Sequence, residues 1–113
     1  MCTQNQLNYI LQKVANEAKK TYGDMLECVI LYGSYARGDY DDESDIDIMV
    51  RINCPTEELM NHKYDLIEFE SDLSLETNIT ISILVYDTNT FNRYRNHLPF
   101  FENIEKDGVK IAW

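Results

Sequence analysis

Positive charge is scarce in this 113-residue chain: ten Lys and Arg stand against 20 Asp and Glu, for a net charge of −10. Sequence-independent affinity for DNA or RNA comes from Lys and Arg neutralising phosphates, so this balance argues against direct nucleic-acid binding. It suits a soluble cytoplasmic protein with a cation-dependent site or a basic protein partner. Cysteine is scarce too. Cys2, Cys28 and Cys54 are odd in number and lack CxxC spacing, which excludes a disulfide framework and a zinc site and leaves three free thiols in a reducing compartment. No apolar run approaches the length needed to span a bilayer and no stretch reads as a signal peptide, so no membrane association is expected. Repeats and low-complexity linkers are also missing. What is present is a 44% hydrophobic, 12% aromatic composition, enough for one modest core: a single domain over residues 1–113.

Periodicity orders that core. Leu7, Ile10, Leu11, Val14, Ala18 and Tyr22 recur at helical spacing and predict an amphipathic helix ended by Gly23. Cys28 to Tyr32 is a short continuous apolar run, a central strand leading into Gly33-Ser34. Ile46, Ile48 and Val50 alternate with Asp45, Asp47 and Met49, which predicts a strand with one apolar face and one face carrying two carboxylates. Pro55-Thr56 opens a second helix towards Glu76 with Leu59, Leu66, Ile67 and Leu73 inward. The β-branched run Ile79 to Tyr86 predicts a third strand. Thr90 to Arg95 reads as a short helix, and Leu98 to Ile111 closes the domain around a turn at Asp107-Gly108. Helices alternating with three strands define an α/β (α+β) class: a small mixed sheet with helices packed on it.

The chemistry concentrates between Leu31 and Val50, LYGSYARGDYDDESDIDIMV. A Gly-Ser turn at the end of a strand lets a phosphate approach the backbone at Gly33, and Ser34 adds a hydroxyl donor. Asp45 and Asp47, two apart in a strand, share a face and can share a cation. Magnesium takes hard oxygen ligands, one or two from carboxylates and the rest from substrate phosphates and water. Taken singly, the turn is an ordinary turn and the DxD a solvated strand face; together they are two halves of a metal–nucleotide site. Arg37 is a phosphate or carboxylate partner, or a plain surface charge.

Gly33-Ser34, ten residues, then Asp45-Ile46-Asp47 resembles the GS-x10-DxD signature of nucleotidyltransferases of the DNA polymerase beta type, and GSYARG is similar to the usual first half. The tail LPFFENIEKDGV resembles small members called minimal nucleotidyltransferases. The resemblance implies a polymerase beta-like fold, a nucleoside triphosphate (ATP) held at Gly33, Ser34 and Arg37, and two Mg2+ ions on Asp45 and Asp47, the catalytic pair. It also implies transfer of a nucleoside monophosphate to a hydroxyl with loss of pyrophosphate. Such domains commonly pair with all-helical HEPN proteins in toxin–antitoxin modules and modify a toxin tyrosine, which makes a HEPN partner the expected acceptor. Many members carry a third carboxylate on the third strand. Here that strand has none: Thr80 and Ser82 occupy the face, and Asp87 or Glu76 is the nearest substitute.

That gap keeps two other readings in view. One is a catalytically weak antitoxin acting by contact, its acidic surface covering a basic cleft. The other is a small-molecule, aminoglycoside-type transferase acting as a homo-oligomer. The remaining features read plainly: Asp39, Asp41, Asp42 and Glu43 form a solvated loop, His62 and His97 are surface residues, and Phe100 and Phe101 are core or a dimer contact rather than a nucleobase platform.

Overall fold

The computed structural model describes residues 3–112. Cys2 lies outside them. The first helix, α1, runs Gln4–Tyr22. A capping box starts it: the Thr3 hydroxyl accepts from the Gln6 N–H at 3.1 Å and the Gln6 side chain accepts from the Thr3 N–H at 2.8 Å. Gly23 ends it as expected, and a 3-10 turn leads to β1, Leu26–Tyr32. A single helical turn, α2 (Ser34–Arg37), and the acidic loop precede β2, Ile46–Ile52. Next come α3 (Thr56–Asn61), α4 (Lys63–Thr77), β3 (Ile81–Asp87), α5 (Thr88–Tyr94), α6 (Pro99–Asp107) and β4 (Val109–Ala112).

The four strands form one mixed sheet in the order β3-β2-β1-β4. β1 runs antiparallel to both β2 and β4, while β2 and β3 are parallel, joined by the crossover through α3 and α4. The β2 alternation divides the sheet chemically. Ile46, Ile48, Val50 and Ile52 face one way into a core with Val29, Leu31 and Ile81, covered by Ile10, Val14 and Ala18 of α1 and Leu66 and Leu73 of α4. Met49 faces the other way with Cys28, Ile30 and Tyr32, covered by Phe91 of α5 and Phe101 and Ile104 of α6. Asp47 lies on this second face, beyond the end of the helical cover.

Several expectations need correction. The helix drawn from Pro55 to Glu76 is broken at His62, whose ring is half-buried and meets the Tyr22 ring edge-on at 5.5 Å, so His62 is not a free surface residue. Ile67 points outward at 44% exposure, because Leu59, Leu66 and Leu73 hold the buried stripe at intervals of seven and Ile67 lies a residue off it. The third strand starts at Ile81 rather than Ile79. A fourth strand follows the turn at Gly108, where any Cβ would collide with the Ile104 carbonyl oxygen and Ile30. Four residues are too few for a periodic signal, so pairing with β1 decides that strand.

The free edge of β3 is protected by α4: the Ile81 N–H donates to the Ser74 hydroxyl at 3.2 Å and the Ile83 N–H to Glu70 at 2.6 Å. At its far end Asp87, 5% exposed, caps α5 by accepting from the Thr90 N–H (2.9 Å) and hydroxyl (2.7 Å). Burial pushes its pKa up, but the hydrogen bonds from Thr90 and Thr56 outweigh this, and the carboxyl sits below its ordinary value. Asp87→Ala is expected to cost about 1–2 kcal/mol in denaturant unfolding at neutral pH. Because the folded-state pKa is depressed, this stabilisation is present above the unfolded pKa and is lost as pH falls through the folded one. The difference between wild type and variant is therefore expected to shrink in strongly acid solution.

Candidate functional site

Gly33 joins β1 to α2 at φ 76°, a conformation that L side chains rarely adopt. Its second requirement is space, since a Cβ there would overlap Oδ2 of Asp47. The turn is thus pressed against the carboxylate, and the two halves of the motif meet as the spacing predicts. Register explains the meeting. Tyr32, the residue before Gly33, is the cross-strand partner of Asp47, so the end of β1 delivers the turn beside that side chain.

Asp45 precedes the first residue of β2 and is exposed, whereas Asp47 is half-buried. Burial raises the Asp47 pKa, the charge of Asp45 raises it further, and Arg37 lowers it; the net shift is upward. Two like charges with one of them partly desolvated is an unfavourable arrangement that a divalent cation would relieve. Among the described residues no three His, Cys, Asp or Glu side chains converge on a common metal position. A cation at Asp45 and Asp47 would therefore need other oxygens, from phosphates and water, which is the pattern magnesium favours. The donor set fits.

Ser34 opens α2 half-exposed beside Gly33. Arg37, exposed at the end of the same turn, ion-pairs with Asp39 at 3.1 Å while its charge is felt at Asp47. Exposed pairs of this kind contribute little to stability and leave the guanidinium available to an anion. The acidic loop is more ordered than a solvated run: Asp41 accepts from the Glu43 N–H (2.9 Å) and the Ser44 hydroxyl (3.2 Å), which ties the loop back before β2 starts. That Asx-type turn was legible from Asp41 and Ser44 at a spacing of three.

Parallel pairing sets Ser82 level with Asp47 on the other side. A row of Tyr32, Asp47 and Ser82 therefore crosses the face, with no second acid in it. Asp87 lies five residues further along β3, roughly 16 Å away, and is occupied as a helix cap. Glu76 accepts from the Tyr9 hydroxyl at 2.7 Å in the α1–α4 layer, on the opposite side of the sheet. Neither stands in for a third carboxylate. Tyr32 went unnoticed in the sequence as a site neighbour; its hydroxyl pKa is raised by burial and by the Asp47 charge, and pairing the two strands end to end would have found it.

A glycine turn pressed against an aspartate pair at the start of a strand, on a mixed sheet layered with helices, is the arrangement of enzymes that transfer nucleotidyl groups. The chain belongs to the nucleotidyltransferase domain family, which matches residues 11–111, and within it is a minimal nucleotidyltransferase domain, a transferase enzyme. It is 33% identical over 103 residues to a candidate protein adenylyltransferase of Methanocaldococcus jannaschii, covering 90% of this chain and 95% of the relative. A second such relative from the same organism is 31% identical, with 87% and 90% covered. Among solved structures, a candidate nucleotidyltransferase from Sulfolobus solfataricus superposes with a TM-score of 0.52 at 27% identity over 89% of this chain and 76% of that one. A toxin–antitoxin crystal structure with AMP-PNP shares the fold at a TM-score of 0.55 and 16% identity, over 88% and 70%.

Gly33→Ala combines the positive-φ penalty with displacement of Asp47. It is expected to lower stability by about 1 kcal/mol and to reduce transfer by at least about a hundredfold, measured as label incorporated from ATP beside a melting curve.

Proposed function

We propose that the domain transfers AMP from ATP, in a magnesium-dependent reaction, to a tyrosine hydroxyl of a HEPN-type toxin and so acts as its antitoxin. The contact of Gly33 with Asp47 carries this reading, because it joins a phosphate turn to a cation-binding pair at one point of the sheet. Gly33 and Ser34 would hold the triphosphate, Arg37 would exchange Asp39 for a phosphate oxygen, and Asp45 and Asp47 would hold two magnesium ions. When bound, the ions neutralise charge on the phosphates and favour attack on the α-phosphorus. The acceptor oxygen bonds to that phosphorus, the bond to the bridging oxygen breaks, and pyrophosphate leaves. With Ser82 beside Asp47, the acceptor proton has no third carboxylate to receive it and passes to the Asp pair or to water, which favours modest turnover. The names of the relatives, protein adenylyltransferases, and the toxin–antitoxin fold neighbour support a protein acceptor.

The same serine favours a second reading, in which the domain neutralises its partner by contact, its net charge of −10 covering a basic cleft. The two separate on one variant. Asp45→Asn/Asp47→Asn is expected to reduce label transfer from ATP to the partner by more than about a hundredfold and to abolish protection of cells from the toxin. Undiminished protection by the double variant would instead establish the contact mechanism. Magnesium should raise the melting temperature of the wild type and not of the variant. Without the ion, the variant should melt higher, since it lacks a carboxylate charge that folding penalises.

A further inference from the structure

The carboxylate face continues past Tyr32 onto an exposed aromatic shoulder that the transfer chemistry above leaves unused. Phe100, at the start of α6, meets the Tyr32 ring edge-on with centroids 5.8 Å apart, and Tyr32 is the cross-strand partner of Asp47. One aromatic ring thus separates Phe100 from the metal-binding pair. The sequence places Phe100 and Phe101 alike in the core or at a dimer contact, but only Phe101 is buried; Phe100 is 42% exposed. Phe101 supports the shoulder from beneath, packing against Phe100 at 5.4 Å and Tyr94 at 6.2 Å.

Asn92 to Phe101 contains no carboxylate and has Arg93 and Arg95, the latter paired with Glu105 of α6, within a chain of net charge −10. The acid-free stretch lowers the repulsion that a polyanion meets at Phe100. A hollow of about 480 Å³ between α1 and α4 sets the carboxylates of Glu17, Asp65, Glu68 and Asp72 against Lys20 and is ill suited to phosphates. The other aromatic pair near the site, Tyr35 and Tyr40, is already stacked at 4.2 Å, and Tyr35 packs into the core on the α1 side of the sheet.

Resting on the nucleotidyl-transfer reading, we infer that the exposed ring of Phe100 is the platform on which the nucleobase stacks. The phosphates turn from Gly33-Ser34 across Asp47 while the base lies over the β1 side of the face. Any base has a π-face, so the platform gives affinity without reading base identity, and a purine with its larger ring overlaps most. The Ser82 side of Asp47 is then left open for the acceptor.

Calorimetry with magnesium, comparing ATP with inorganic tripolyphosphate, tests this on the full chain. Phe100→Ala should weaken ATP binding by roughly tenfold or more and leave tripolyphosphate binding unchanged, while Phe100→Trp should retain or tighten ATP binding. Unaltered ATP affinity in Phe100→Ala, or an equal loss for both ligands, overturns the inference alone. No binding of either ligand by the wild type removes the underlying reading and this inference with it.

Discussion

A glycine without room for a side chain, set against a partly buried aspartate, is the contact on which the site depends. Asp47 is desolvated by the sheet and repelled by Asp45, so its charge is tolerated only where something positive approaches. Gly33 brings the backbone turn to that carboxylate at a distance no other residue permits. The strain of the positive φ and the repulsion between carboxylates are local costs, offset by a sheet that packs apolar residues on both faces, most of them on the α1–α4 side.

The second face is divided by the same geometry. Its lower part is closed by Phe91, Phe101 and Ile104, and there Arg51 stacks over Phe91 at 4.6 Å and pairs with Glu27 at 3.2 Å. Beyond it Tyr32 is still covered, while Asp47 and Ser82 are only half-buried. Helix placement thus decides where chemistry is possible: the same strand carries a neutralised Arg51 under α5 and an accessible Asp47 four residues earlier. Burial also pushes up the thiol pKa of Cys28 and Cys54, which keeps both buried cysteines protonated and poorly nucleophilic.

Membership of the nucleotidyltransferase family fixes the reaction class, while the row of residues around Asp47 bears on how well this chain performs it. Ser82 stands level with Asp47 where a further acid would extend the pair, so the row holds a single carboxylate.

The sequence alone determined the elements with strong periodicity and the motif that spaces them. The α1 stripe ending at Gly23, the β2 alternation and the interval from Gly33-Ser34 to Asp45 and Asp47 all depend on local residue order, which a single chain displays directly. Tertiary structure decided everything that depends on register and contact across the sheet. The break at His62, the outward turn of Ile67, the strand after Gly108, the capping role of Asp87 and the remoteness of Glu76 all follow from which elements pack together. So does the alignment of Tyr32 and Ser82 with Asp47. Periodicity reports which way a side chain faces along its own element, whereas its neighbour across the sheet is set by strand pairing, and residues far apart in the chain carry no local signal of that pairing.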